Sequence, residues 1–202
     1  NVRIDEDIPH EVTQEIEIRI SDQGTFSREH MNLPPSFTST IQNTFGAEGR
    51  GWLAALPDLI ADAAHRWGLT NVQPVSNLSY NFVAFATRNQ SDVVLKAGVP
   101  NRELLSEIAA LRLFNGEGAV RLLEADESRY MFLLERVHPG EMLTTLEDDD
   151  QRTHIAADVM LKLWRKAPEN APFIKLTEWF DELKKLRTAS AGGMGPFPEK
   201  LV

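Results

Sequence analysis

The sequence predicts an α+β fold in which a five-stranded antiparallel sheet with one core helix precedes a helical region. Short runs of β-branched and aromatic residues, separated by polar turns, recur between residues 71 and 135 and are typical of antiparallel strands. Residues 101–115 instead carry apolar side chains at helical spacing. Pro139 and Gly140 end this pattern, and the later apolar spacing is helical. We therefore divide the chain into an extension (1–30), a sheet domain with a leading helix (31–137), and a linker followed by helices (138–202).

The composition excludes several classes of protein. Lys and Arg number 21 against 30 Asp and Glu, and the net charge of −9 disfavours nonspecific binding of nucleic acid and weakly favours a cationic small substrate. The chain contains no cysteine, and its five histidines lack the spacing of a zinc site. It has no apolar run of about 18 residues and no secretory signal, so we expect a cytoplasmic protein without a membrane segment. The composition indicates no oligomeric state.

The first 30 residues differ from the rest in charge. They carry eight acidic residues against three arginines, and Ile16, Ile18 and Ile20 alternate with polar residues as in a strand. Met31 opens a stretch that would make a plausible native start, so residues 1–30 are interpreted as an upstream extension. A genuine accessory strand is the alternative.

A leading helix is predicted from Trp52 to Trp67, because its apolar residues recur at intervals of three and four. These residues are Leu56, Leu59, Ile60, Ala63, Ala64 and Trp67. Pro57 suits the first turn of this helix, and Gly68 suits the position that follows its last turn. The helix should cover one face of the core, with Trp67 among the buried residues.

Three short strands come next. They are predicted at residues 71–75, 80–87 and 91–97, with a hairpin turn at 88–90. The loop between the first two strands contains Ser79 and Asn81, whose hydroxyl and amide groups can donate hydrogen bonds to an anion.

Lys96 ends the third strand, directly after three apolar residues. Its ammonium group must reach either water or an acidic partner. The helix predicted at residues 101–115, which Asn101 begins, carries Glu107 at the edge of its apolar arc. A Lys96–Glu107 ion pair is therefore predicted. A Glu107–Arg112 pair, or solvation of Glu107, is the competing explanation.

Two more strands complete the sheet, at residues 119–125 and 130–135, with a hairpin at 126–129. The expected members of the core are Phe82, Leu95, Ile108, Leu111, Leu123 and Phe132. Amphipathic helices are then predicted at residues 150–166 and 176–186. The first of them should bury Ile155, Val159, Met160, Leu163 and Trp164.

The order of these motifs resembles a known family. The stretches that carry the resemblance are 93–96 (VVLK), 107–112 (EIAALR), 118–123 (GAVRLL), 133–137 (LLERV) with the later Pro-Gly, and 176–179 (LTEW). Over residues 50 to 186 they resemble the aminoglycoside/hydroxyurea phosphotransferases, the streptomycin-kinase-like branch of the aminoglycoside kinases. The resemblance implies a protein-kinase-like fold, with a nucleotide-binding N-terminal lobe and the first helices of a truncated helical C-terminal lobe.

The resemblance also implies an activity. ATP with magnesium would donate phosphate to a hydroxyl of a small molecule, which could be streptomycin, another aminoglycoside or hydroxyurea, and the transfer would confer antibiotic resistance. A fructosamine-type acceptor is the neighbouring alternative.

The resemblance assigns roles to residues at both ends of the predicted nucleotide site. Lys96 would bridge the α- and β-phosphates, Glu107 would orient Lys96, and the loop residues Ser79 and Asn81 would contact phosphate. In the linker, the Glu135 carbonyl and the Val137 N–H would bind adenine. Leu134 and Leu95 would supply apolar surface to the base.

The chain departs from the family pattern in two ways. The loop at residues 76–81 contains no glycine, although the corresponding kinase loop is glycine-rich. The catalytic His-Gly-Asp and the magnesium-binding aspartate are expected beyond Val202, so no catalytic or metal-binding residue is assigned and the 202-residue chain is expected to be inactive. Two readings remain beside the kinase: a non-catalytic nucleotide-binding module, and an interaction domain in which Lys96 and Glu107 form only a structural pair.

Overall fold

The computed structural model describes residues 31, 33–178 and 180. Its helices are α1 (Pro35–Trp67), α2 (Arg102–Phe114) and α3 (Asp149–Leu163), and its strands are β1 (Leu69–Pro74), β2 (Phe82–Arg88), β3 (Ser91–Ala97), β4 (Leu122–Asp126) and β5 (Met131–Glu135). Short 3-10 turns occur at Glu127–Arg129 and Leu143–Thr145. The strands form one antiparallel sheet in the order β1-β2-β3-β5-β4. The predicted α+β fold, with five strands and a core helix, is confirmed.

The central hairpin agrees most closely with the sequence prediction. Strand β3 has the predicted bounds, and β2 pairs with it in unbroken register from Phe82–Ala97 to Arg88–Ser91. Asn89 and Gln90 form the turn with φ values of 48° and 65°, and this left-handed conformation at both positions matches the twist of the flanking strands. The bounds of β1, β2, β4 and β5 differ from the predicted ones by one to three residues.

Helix α1 begins much earlier than the sequence predicted. It starts at Pro35, so the placement of Pro57 in the first turn is wrong, because Pro57 lies inside the helix. The backbone of Gly46 leaves the helical region (φ 56°, ψ −124°) and divides α1 into two helical segments that meet at a corner. The first segment buries few side chains, among them Phe37 and Ile41, and therefore gives little apolar periodicity. Gly68 ends α1 in the left-handed conformation, as predicted.

The two faces of the sheet have different partners, because side chains alternate along each strand. The face toward α1 carries the buried residues Phe82, Ala84, Ala86, Val93, Leu95, Ala97, Met131 and Leu133. The face toward α2 carries Val83, Phe85, Val94, Lys96, Phe132 and Leu134, which pair with one another across the strands. Helix α2 covers part of this second face by packing Leu104, Ile108 and Leu111 against Phe132.

The predicted core is largely correct. Five of its six members are buried, whereas Leu123 is 37% exposed and its assignment to the core is wrong. The register of β4 against β5 shifts between Leu122 and Glu124, which interrupts the alternation that would have turned Leu123 inward. Trp67 is half-buried and packs against the cluster between α1 and the sheet.

Helix α3 docks through a different surface from the predicted one. None of its residues, all of which the structure describes, is buried, so the predicted burial of Ile155, Val159, Met160, Leu163 and Trp164 is wrong. Instead, Arg165 pairs with Glu117 and donates a hydrogen bond to the Leu113 carbonyl. Lys162 and Leu163 lie so close to Gly118 that a Cβ there would be 3.0 Å from the Lys162 Cβ. The contact is with the loop that joins α2 to β4.

Some predictions fall outside the described residues. These include the extension at 1–30 with its candidate strand and most of the helix predicted at 176–186. In the part of the chain that the structure describes, no helix is long and apolar enough to cross a membrane. The same residues contain no group of three or more His, Asp or Glu side chains arranged to hold a metal ion.

Candidate functional site

Lys96 and Glu107 form the predicted ion pair. The Lys96 Nζ lies 2.6 Å from Oε1 and 2.8 Å from Oε2 of the Glu107 carboxylate. The Lys96 side chain is 20% exposed, and its Nζ lies 5.6 Å from the centroid of the Phe132 ring. Arg112 pairs with Glu127 instead, so the competing Glu107–Arg112 pair is not formed.

Local structure explains why the two side chains meet. Alternation along β3 places Lys96 on the α2 face of the sheet, directly across from Phe132 on β5. Asn101 fixes the start of α2, because its Oδ1 accepts the Leu104 N–H at 2.9 Å and its Nδ2 donates to the Val99 carbonyl at 2.8 Å. Burial of Ile108 against the sheet then sets the rotation of α2, which brings the adjacent Glu107 over Lys96.

The arrangement leaves the lysine able to bind an anion. An ammonium group has three N–H donors, and the Glu107 carboxylate takes two of them. Both side chains are partly exposed, so a ligand can reach the lysine without unfolding of the sheet. Glu107 holds the ammonium group in place, and the remaining donor and the positive charge suit a phosphate oxygen.

The α2 face beside Lys96 contains Leu134, which was predicted, and two apolar residues that the sequence prediction missed, Val83 and Val94. Val83 is opposite Lys96 in the β2–β3 register, and Val94 is opposite Leu134; all three apolar side chains are half-buried. The alternation along β3 could have identified Val94, because it is two residues before Lys96. Leu95 was assigned to the nucleotide base, and this is wrong: it is fully buried on the α1 face of the sheet.

The loop between β1 and β2 separates its two predicted anion-binding residues. Asn81 is half-buried, and its Oδ1 lies against Gly98, where a Cβ would collide with it. Asn81 and Glu107 both line a cavity of about 690 Å³ between this loop, the corner of α1 and the start of α2. Ser79 is exposed and does not line this cavity. The structure therefore brings Asn81, but not Ser79, to the same cavity as Glu107.

The linker leaves β5 at Glu135. The Glu135 N–H donates to the Arg121 carbonyl at 3.1 Å, and the Glu135 Oε1 accepts the Arg121 N–H at 2.7 Å. The pairing of β5 therefore continues one residue beyond β4, to Arg121, and the Glu135 N–H is already paired. Val137 is 54% exposed.

An ionic cluster ties the end of α1 to the turn between β4 and β5. Arg66 lies 2.7 Å from Asp62 and 2.9 Å from Asp126, and Arg129 also pairs with Asp62. Burial of Asp126 raises its pKa, but the Ser128 hydroxyl, the Arg66 charge and the Arg129 N–H outweigh burial and hold the pKa below its ordinary value of 3.8. The cluster fixes the hairpin that leads into β5.

Comparison with known proteins identifies the family. A sequence model of the aminoglycoside/hydroxyurea antibiotic resistance kinases matches residues 66–197. The chain belongs to this family. The matched residues include all five strands, so Lys96, Glu107 and the linker lie within the part that carries the family pattern.

Individual relatives in the kinase family support the same conclusion. The chain is 32% identical to streptomycin 6-kinase of Streptomyces griseus over 138 residues, which are 68% of this chain and 45% of that protein. It is 33% identical to streptomycin 6-kinase of Streptomyces glaucescens over 134 residues (66% and 44%). It is also 33% identical to hydroxyurea phosphotransferase of Kitasatospora aureofaciens over 170 residues (84% and 47%). The chain thus spans less than half the length of the curated relatives it matches.

Proposed function

We propose that this chain is the nucleotide-binding part of an ATP-dependent kinase that transfers phosphate to a hydroxyl of a small molecule and thereby confers antibiotic resistance. The observation that carries the proposal is the Lys96–Glu107 pair, with Nζ–Oε distances of 2.6 and 2.8 Å, on a partly open face of the sheet. In kinases a strand lysine and a helix glutamate form such a pair beside the nucleotide phosphates. Membership of an antibiotic resistance kinase family agrees with this assignment.

The residues present fit ATP. Val83, Val94 and Leu134 offer half-buried apolar surface to a base on the same face that presents the Lys96 ammonium group. Bound ATP would supply the phosphoryl group. Lys96 would hold its α- and β-phosphates, and Glu107 would orient Lys96.

Backbone and loop groups complete the proposed nucleotide site. The Glu135 carbonyl and the Val137 N–H would bind the adenine edge from the linker, while Asn81 and Ser79 would donate to phosphate from the β1–β2 loop. Because that loop contains no glycine, its hydroxyl and amide side chains would supply donors that glycine-rich loops supply from the backbone. Magnesium is part of the proposal, but no residue of this chain is assigned to it.

The proposed acceptors come from the relatives. Two of them are named for streptomycin and one for hydroxyurea, and the net charge of −9 weakly favours a cationic aminoglycoside over the uncharged hydroxyurea. We place the protein in the cytoplasm, where ATP is available. If the coding sequence continues past Val202 and encodes His-Gly-Asp, phosphate transfer by the longer product to each acceptor would identify the substrate.

A second candidate function is nucleotide binding without catalysis. The 202 residues contain no His-Gly-Asp sequence, and the acids Asp148, Asp149 and Asp150 lie at the start of an exposed helix. We therefore expect the chain as given to bind ATP and to transfer no phosphate to streptomycin or hydroxyurea. Magnesium-dependent transfer by this chain would contradict that expectation.

The decisive experiment is a titration of the 202-residue chain with a non-hydrolysable ATP analogue and magnesium. Wild type should bind saturably, and Lys96→Met should weaken binding by about tenfold or more, equivalent to ~1.4 kcal/mol. Lys166→Met, which removes an exposed lysine after α3, is the matched control and should bind like wild type. Absence of binding by wild type, or equal binding by Lys96→Met, would refute the proposal.

A further inference from the structure

We infer that the linker is held against the sheet by contacts of Arg136 and His138 with Phe85 and Asp92, and that these contacts position its backbone for the nucleotide base. These four residues are called the clasp. This inference rests on the proposed function, because it assigns the clasp to the nucleotide site. These residues are positioning residues: they would act through the linker backbone and would not touch the reacting phosphate.

One half of the clasp is a stacked cation. The guanidinium carbon of Arg136 lies 3.9 Å from the centroid of the Phe85 ring, well within the range of a cation–π contact. Phe85 is on β2, on the same face as Lys96, and is opposite Val94 in the register. Phe85 is an apolar residue on the sheet surface and is 38% exposed. The Arg136 side chain, rather than a core residue, covers part of its ring.

The other half of the clasp is a shared carboxylate. The Asp92 Oδ2 lies 3.2 Å from the His138 Nε2 and 3.9 Å from the Arg136 Nη1. Asp92 is near the start of β3 and therefore moves with the central hairpin. Arg136 and His138 flank Val137, so one carboxylate holds the linker on both sides of the N–H that is proposed to bind adenine.

The opposite side of the linker is also fixed. Two hydrogen bonds join Glu135 to the backbone of Arg121, at 3.1 and 2.7 Å. Residue 135 is therefore anchored to Arg121, directly before β4, and residues 136 and 138 are anchored to β2 and β3. Anchoring a binding segment before the ligand arrives reduces the entropy lost on binding and increases affinity. Partly exposed ion pairs add little to global stability, so the clasp should affect the order of the linker more than unfolding.

The test combines a readout of linker order with a readout of binding. Backbone order parameters from ¹⁵N relaxation at the Arg136, Val137 and His138 amides should fall in Phe85→Leu and in Asp92→Asn, while the melting temperatures of these variants stay near that of wild type. Both variants should bind the ATP analogue about two- to fivefold more weakly, as loss of an exposed cation–π or ionic contact implies. Arg136→Ala should show the same effects, and Arg136→Lys should recover part of the affinity. Arg112→Gln, which breaks the surface pair with Glu127, is the control and should match wild type.

The outcomes separate this inference from the proposed function. If wild type binds the ATP analogue and the Phe85 and Asp92 variants bind it equally well, the inference is refuted and the proposed function stands. Unchanged order parameters at the three linker amides in these variants would also refute it. If wild type binds no adenine nucleotide, the proposed function fails, and the role of the clasp in nucleotide binding fails with it.

Discussion

We expect the Lys96–Glu107 pair to contribute more to nucleotide binding than to folding. Its side chains are 20% and 37% exposed, and ion pairs in contact with water typically contribute at most ~1 kcal/mol to the free energy of unfolding. If stability were its only role, such a pair could be replaced by apolar residues at little cost. The two charges remain on a face whose other residues are mostly apolar, which is the arrangement that an anionic ligand with an apolar base requires.

Glu107→Gln tests whether the pair serves nucleotide binding more than folding. The amide keeps the shape of the side chain but removes its charge, so the Lys96 ammonium group should be less firmly oriented. We expect the free energy of unfolding in urea to fall by no more than ~1 kcal/mol. Affinity for the ATP analogue should fall about three- to tenfold, equivalent to ~0.7–1.4 kcal/mol. A large loss of stability with unchanged nucleotide affinity would show that the pair is structural.

Asp126→Asn should change how stability depends on pH. Because the pKa of Asp126 is lower in the folded protein than its ordinary value of 3.8, the charged carboxylate stabilises the fold at neutral pH. This stabilisation is complete well above pH 3.8 and is lost as the pH falls below that value through the lowered pKa. Wild type should therefore exceed Asp126→Asn in unfolding free energy at neutral pH, and urea unfolding in increasingly acidic buffers should show the difference shrinking. A difference that is constant with pH would contradict the assignment.

The sequence predicts single residues well where a regular period places them. Alternation along β3 and the apolar arc of α2 are local patterns, and they were sufficient to predict that Lys96 meets Glu107. The same alternation places Leu95 on the opposite face of the sheet, so the assignment of Leu95 to the nucleotide base could have been avoided. The contact between Arg136 and Phe85 could not have been predicted, because its partners are distant in sequence and belong to no shared periodic pattern.

At the scale of elements, the corner of α1 depends on Gly49. A Cβ at this position would lie 2.5 Å from the Ile41 carbonyl oxygen, which is backbone and cannot move aside without distorting the first helical segment. We expect Gly49→Ala to lower the free energy of unfolding by ~1–3 kcal/mol, measured by urea unfolding. Gly51→Ala is the matched control, since a Cβ there meets no described atom within 4 Å and alanine favours helix by up to ~1 kcal/mol. Equal stabilities of the two variants would contradict a requirement for glycine at position 49.

The linker provides the second prediction at this scale. Val137→Pro removes the N–H that is proposed to bind adenine and should weaken binding of the ATP analogue by ~1–3 kcal/mol. Val137→Ala retains the N–H and should bind like wild type, because the Val137 side chain is 54% exposed. Circular dichroism would establish that both variants are folded. A folded Val137→Pro variant with wild-type affinity would remove the Val137 N–H from the site.

The prediction errors for α1 and α3 have the same cause. The first segment of α1 and the docking surface of α3 bury few residues, so neither produces a complete apolar period. The start of α1 was missed for this reason, and the apolar residues of α3 were assigned to a buried stripe that the structure does not contain. Segments held by contacts such as Arg165 with Glu117, or Gly118 with Leu163, depend on tertiary neighbours that a local pattern does not reveal.

At the scale of the whole molecule, apolar surface is distributed unevenly. The sheet domain buries two clusters, one against α1 and one against α2. After the linker, large apolar side chains are exposed instead, and they include Met142, Met160, Leu161, Trp164, Leu176 and Phe180. Exposed apolar side chains in such number are a common cause of association. The stability of the chain should therefore come mainly from the sheet domain, and its solution behaviour from the helices that follow.

We predict that the purified 202-residue chain self-associates and is only marginally stable. Trp164, which is 79% exposed, lies near the exposed side chains of Met160 and Leu161 on the last turn of α3, so these three residues should dominate the contact. Sedimentation velocity over a range of concentrations should show species larger than a monomer. Trp164→Lys should shift the distribution toward monomer, whereas Thr153→Lys, which adds the same charge at an exposed position on α3, should shift it less. A monodisperse monomer with a cooperative melt at every concentration would refute the prediction, because it would mean that these side chains are covered in solution.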